Sequence, residues 1–176
     1  DDFCREEAHV FYEEPVKLVF DGEAWTKRLR KISAIAREFP LIYSSTVTVG
    51  AYAGTRYVVT SEGARLQTAE RRYRVTMSAG TKAEDGMDLS QYSDFNAATV
   101  ERLPDDAKIE EAFRAVIKQV LALREAPLAE PYIGPAILRN RASGVFFHEI
   151  FGHRIEGHRQ KDVTEGQTFT KKLNQS

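Results

Sequence analysis

Three of the chain's four histidines fall in one short stretch, His148-Glu149-Ile150-Phe151-Gly152-His153-Arg154-Ile155-Glu156-Gly157-His158. They recur every five residues, and Glu149 stands beside the first. Imidazole nitrogens and carboxylate oxygens are the donor atoms of zinc sites. In the usual zinc helix, His-Glu-x-x-His, the two imidazoles lie four residues and about 40° apart around the axis. A spacing of five makes that about 140° in a regular α-helix, too far for both rings to grip one ion. A local π turn, with i→i+5 hydrogen bonds, would return them to nearly one face, and Gly152 is the residue most permissive of that distortion. Alternatively the helix ends near Gly152 and His153 returns from the next turn.

Something must hold these residues in place. Asn140 stands where it could cap a helix running from Arg141 to Phe151, with valine, isoleucine and three phenylalanines on more than one side. That pattern predicts a buried helix. Burying Glu149 beside His148 is costly unless both are paired or bound to a metal. The plainer reading of the cluster is a buried His–Glu pair with two unrelated surface histidines.

Upstream, Asp21-Gly22-Glu23 opens an amphipathic helix bounded by Pro40, with Trp25, Leu29, Ile32, Ile35 and Phe39 at helical spacing. Tyr43, Ser45, Val47 and Val49 alternate as in a half-buried strand. Gly50 and Gly54 bracket an expected turn before a second strand, Arg56 to Thr60. Ser61-Glu62-Gly63 predicts a hairpin turn into strands near 64–69 and 72–79. Residues 80–94 read as a loop with at most a short edge strand. Pro104-Asp105-Asp106 starts a second long helix, striped by Ile109, Phe113, Val116, Ile117, Val120 and Leu121 and stopped before Pro127. The order predicts an α+β fold, an antiparallel or mixed sheet meander with long helices packed on one face. Residues 1–126 form the body. Residues 127–160 add a connector, a short strand at Ala136-Ile137-Leu138 and the motif helix of the same domain. The polar tail, 161–176, is expected to be mobile.

The motif His148-Glu149-Ile150-Phe151-Gly152-His153, followed by Ile155-Glu156-Gly157, resembles the HExxxH signature of the TldD/PmbA family of zinc metallopeptidases, also called modulators of DNA gyrase. Gly134-Pro135-Ala136-Ile137-Leu138 resembles that family's approach to the motif, and Val58-Val59-Thr60-Ser61-Glu62-Gly63 its N-terminal hairpin. The resemblance is strong over residues 132 to 160 and weak over most of the rest. It implies zinc as cofactor, His148 and His153 as its ligands, and Glu149 as the general base that activates a zinc-bound water. It implies peptides or unfolded segments as substrates, a homo- or hetero-dimer with a family member as the assembly, and the cytoplasm as the compartment. The family's third ligand is a cysteine from a C-terminal β-rich domain absent from this sequence, so the isolated chain is expected to be inactive. Strand edges of the predicted meander would let a substrate add as a strand.

His158 is the third-ligand candidate within the chain, against a surface or second-sphere role. Glu156 is a candidate to hydrogen-bond a liganding imidazole, against a helix-terminal charge facing solvent. Arg154 and Arg159 read as solvated. The rival from another class is a non-catalytic peptide-binding, interaction or regulatory domain.

Composition sets the outer limits. The 176 residues are 42% apolar and 29% charged with net charge -1, which suits one globular domain and marks no nucleic-acid partner. The basic clusters Lys27-Arg28-Leu29-Arg30-Lys31 and Arg71-Arg72-Tyr73-Arg74 read as solvated faces. No apolar run is long enough to span a bilayer. Cys4, the single cysteine, excludes an internal disulfide and reads as a free thiol. The start at Asp1-Asp2 without methionine, and the polar end, suggest an excised piece.

Overall fold

The computed structural model describes residues 5, 7–161, 164, 168, 169 and 172. The expectation for Cys4 and most of that for the tail therefore lie outside the described residues. The chain divides into two units, Asp1–Leu128 and Ala129–Ser176; the connector from Ala129 on and the motif helix fall in the second.

The first unit is α+β. It runs β1 (Val10–Tyr12), α1 (Gly22–Ser33) with a 3-10 extension to Glu38, β2 (Ser44–Val59), β3 (Arg65–Lys82), β4 (Asp88–Ala97), a 3-10 turn and α2 (Asp106–Glu125). Both helices start where a side chain satisfies a free backbone donor. Asp21 Oδ1 accepts from Ala24 N–H and Asp105 Oδ1 from Lys108 N–H, each at 2.9 Å. Arg30 and Lys31 in the last turn of α1, and Arg124 in that of α2, oppose the helix dipole. The helical stripe expected to run on to Pro40 tightens after Ser33 into 3-10 geometry, which still buries Ile35.

β3 is the hub of the sheet. β2 pairs with it antiparallel without interruption, from Ser44↔Gly80 to Val59↔Arg65. On the other side β1 runs parallel at Val10↔Arg65 to Tyr12↔Gln67, and β4 antiparallel at Tyr73↔Ala97 to Lys82↔Asp88. Between those two partners, Glu13 Oε2 accepts from Ala69 N–H at 2.7 Å, and Arg71 donates to the carbonyls of Lys17 and Ala98, both at 3.2 Å. The second basic cluster is thus partly structural. So is the first: Arg28 Nε meets Asp106 Oδ1 at 2.6 Å and lies over Trp25, while Lys31 pairs with Glu110 at 2.9 Å.

Alternation along β3 makes the core. Tyr73, Val75, Met77, Ala79 and Thr81 are buried on one face, against Ile109, Phe113, Val116, Ile117 and Val120 of α2 and Trp25 and Ile32 of α1. Thr81, the buried polar member, donates from Oγ1 to the Leu41 carbonyl at 2.6 Å. Tyr73 uses its hydroxyl twice, donating to Val19 O at 2.8 Å and accepting from Val19 N–H at 3.2 Å. It thereby fastens the segment entering α1 to the sheet. Tyr73→Phe should strand both Val19 groups and lower stability by about 1–2 kcal/mol, read by urea titration of Trp25 fluorescence; a loss indistinguishable from zero would mean water replaces the hydroxyl.

Three expectations change. The turn expected between Gly50 and Gly54 does not form, because both lie opposite β3 residues (Arg74 and Glu70) in an unbroken ladder. The strands expected at 64–69 and 72–79 are one. The stretch 80–94, expected as a loop with at most a short edge strand, instead holds the end of β3 and most of a ten-residue strand, β4 (Asp88–Ala97), paired to β3. The hairpin turn at 61–63 does form, with Gly63 at φ +94°.

Candidate metal centre

The second unit carries the histidine segment on three consecutive helical pieces: α3 (Arg141–Phe147), a π turn (His148–Gly152) and α4 (His153–Ile155). His148 N–H closes the α-helix onto Gly144 O, an i−4 partner. His153 N–H reaches back to His148 O, an i−5 partner. That one wider ring is what a five-residue spacing needs to put both imidazoles on one side. Gly152 contributes less than expected. Its φ of -52° and ψ of -58° are ordinary helical values, and an added Cβ would meet only Phe147 O at 3.9 Å.

The result is a compact donor group. The imidazole rings of His148 and His153 lie 4.5 Å apart, centre to centre, at 76° to each other. Glu149 Oε1 is 3.9 Å from His148 Nε2, and Glu149 Oε2 is 3.8 Å from His153 Nε2. One ligand atom from each of the three residues lies within 4.8 Å of the others. Two neutral imidazole nitrogens and a carboxylate suit a borderline-soft divalent ion such as zinc.

Glu156 takes a position beside this group. Its Oε1 is 2.8 Å from His153 Nδ1, and its Oε2 is 2.6 Å from Arg159 Nε. The hydrogen bond with His153, aided by the charge of Arg159, holds the Glu156 carboxyl below its ordinary range. An ionised carboxylate only accepts, so in this contact Nδ1 is the donor, and in the neutral ring Nε2, on the Glu149 side, is the nitrogen with the free lone pair. Arg159 was expected to be solvated; its spacing of three residues from Glu156 was the sequence signal for the ion pair. His158 stands apart from the donor group. Its Nε2 is 3.6 Å from Glu156 Oε2 and its side chain is 77% exposed.

The expectation of a buried motif helix is corrected. Val145, Phe146, Phe147, Phe151 and Ile155 are exposed, and no described residue of the second unit is buried. Apolar residues on several sides of a helix record a need for cover, not its source. Glu149 is 61% exposed and His153 30%, so the argument from buried charge does not apply here. Asn140 also departs from its expected role. It sits at φ +49° and offers no side-chain cap, its carbonyl accepting from Gly144 N–H instead. Ala136-Ile137-Leu138 is not a strand. Phe169 packs near Phe151, with ring centres 6.0 Å apart.

Among the described residues no helix is long and apolar enough to cross a membrane. The chain matches no family model, no curated protein and no solved structure.

Proposed function

We propose that this chain is the motif-bearing part of a zinc-dependent peptidase of the TldD/PmbA type, acting on peptides or unfolded segments. The observation that carries the reading is the meeting of His148, Glu149 and His153 ligand atoms within 4.8 Å on a π turn. His148 and His153 would hold the ion through their ring nitrogens. Bound there, zinc would supply Lewis-acid polarisation of a substrate carbonyl and acidify water. Glu156 accepts from His153 Nδ1–H, so that in the neutral ring Nε2 is the nitrogen left to hold the ion. Glu149, exposed and a little under 4 Å from both rings, accepts a proton at a carboxylate oxygen and delivers it to the departing amine.

Cleavage of an unstructured polypeptide by the protein bearing this chain tests the reading. Zinc should support it, chelation should stop it, and Glu149→Gln should slow it at least about 100-fold while leaving the fold intact. Equal rates for Glu149→Gln and the parent would remove Glu149 from the chemistry.

One observation favours a second reading. The exposed phenylalanines of the motif segment would suit a non-catalytic interaction domain that covers them with a partner. In that case zinc and Glu149→Gln leave partner binding unchanged, and no peptide is cut.

A further inference from the structure

The cations of α1 and its 3-10 extension divide into two groups. Arg28 and Lys31 turn toward α2, where Asp106 and Glu110 meet them at 2.6 and 2.9 Å. Arg30 and Arg37 are exposed, and among the described residues neither guanidinium makes an ion pair or a hydrogen bond. Glu38, the acid next to Arg37 in the chain, is already engaged by both Nη atoms of Arg114, at 2.6 and 2.9 Å. The two unpaired arginines lie seven residues apart, about two helical turns, which keeps them on one side of the axis.

Both line one hollow of about 620 Å³ between the end of α1 and the start of β2, together with Ser33, Tyr43, Ser44 and Ser45. Its lining therefore holds two full positive charges and four hydroxyls, and no carboxylate. We propose that this hollow is a binding site for a phosphate group, held by Arg30 and Arg37 and hydrogen-bonded by the serine hydroxyls. It is independent of the histidine segment and of any metal. Arginine stays ionised and presents its N–H groups as a planar fork that matches phosphate oxygens. A phosphate monoester carries a charge of about -1.5 to -2 near neutral pH and three acceptor oxygens. A carboxylate has one charge and two oxygens, and so leaves more of these cations and hydroxyls unmatched.

The end of a helix by itself repels an anion, because its last carbonyls carry partial negative charge. At α1 the Arg30 carbonyl is engaged, accepting from Ala34 N–H and from Ser33 Oγ. The two guanidinium charges then set the sign of the hollow. The β2 side of the site is preformed. Buried Thr81 donates from Oγ1 to Leu41 O at 2.6 Å, and Tyr43 N–H donates to Gly80 O at 3.0 Å, which pins the chain entering β2 to the end of β3. A fixed wall leaves little backbone ordering for a ligand to impose. Tyr43 itself is 60% exposed, and its ring offers a face to any aromatic group that the phosphate carries. The volume lies within the roughly 300–1,000 Å³ of small-molecule sites.

The test titrates the whole 176-residue chain with inorganic phosphate, adenosine monophosphate and adenosine, followed by proton–nitrogen correlation NMR. The two phosphate-bearing titrants should saturate, shifting the signals of Arg30, Ser33, Arg37, Ser44 and Ser45, and adenosine should not bind. Adenosine monophosphate binding more tightly than inorganic phosphate assigns the site to a phosphate ester. Inorganic phosphate binding as tightly or more tightly assigns it to the free ion. Arg30→Gln and Arg37→Gln should each weaken binding about tenfold or more. Arg30→Lys should weaken it less, since the ammonium keeps the charge and loses the fork. Arg72→Gln, which removes an equally exposed and unpaired arginine from β3, should change nothing. Circular dichroism confirms that each variant is folded. A titration that never saturates overturns the proposal. So does an Arg72→Gln loss equal to that of Arg30→Gln, because positive charge at large would then be the attraction. So does adenosine binding as tightly as its monophosphate, which would leave the arginines without a role.

Discussion

Replacing Phe113 with alanine should cost the first unit about 3–5 kcal/mol, the largest stability loss expected of any single change. Phe113 is fully buried at the middle of the α2 stripe, within the cluster that includes Tyr73, Val75 and Met77 of β3. Truncation there removes an aromatic ring from a site walled by β-strand on one side and helix on the other, two surfaces that cannot collapse freely into the void. A small domain has about 5–15 kcal/mol in total, so the variant sits close to unfolding at room temperature. Trp25 is the chain's one tryptophan and is buried in the same core, so its fluorescence in urea reports this unit alone. The midpoint should fall with the slope unchanged. Leu123→Ala, on an exposed position of the same helix, is the control and should stay within about 0.5 kcal/mol. Equal losses at the two positions would contradict the assignment of Phe113 to the core.

The second large effect concerns metal affinity. His148→Ala and His153→Ala should each weaken zinc binding by at least about 100-fold, because each removes one of two imidazole donors. His158→Ala should leave it unchanged, since that ring stands beside Glu156 and outside the donor group. Glu156→Gln lies between these limits. It keeps the shape but loses the carboxylate that fixes the His153 tautomer, and about 10–100-fold is expected. Competition against a chromophoric chelator measures all four on one scale. A His158→Ala loss equal to that of His148→Ala would move His158 into the coordination sphere and overturn the arrangement described here. Zinc affinity unaffected by any of the four would remove this segment from metal chemistry.

How far the sequence alone leads depends on whether the deciding forces are local. α1 and α2 were legible because caps, dipole charges and apolar spacing all act within a few residues. The hairpin turn was legible because Gly63 adopts a positive φ that few other residues tolerate. Strand lengths were not. Gly50 and Gly54 look like punctuation, yet β3 supplies them with hydrogen-bonding partners and Tyr52 lies over one of them. β4 was read as at most a short edge strand because Ser90, Tyr92, Asp94 and Asn96 on one side of its alternation are polar, and pairing with β3 outweighs that weak pattern. At the histidine segment, the spacing posed two backbone solutions and the chain takes the π turn. Its exposure was beyond local reading, since the covering surface is not encoded in the helix it covers. The Glu156–Arg159 pair was legible in retrospect from spacing and charge.

The π turn also bears on how such a helix tolerates changes of length. Relative to a regular helix, the five-residue spacing of His148 and His153 is a one-residue insertion absorbed in a single wide ring. Without that ring, one extra residue would rotate every later side chain by about 100° around the axis. Here the excess is confined to His148–Gly152, and α4 resumes with Glu156 alongside the His153 ring. Removing either Ile150 or Phe151 would leave two histidines four residues apart, the spacing an unbroken α-helix accepts without any wide ring. Seen as a matter of chain length, this segment is one residue away from the more familiar zinc helix.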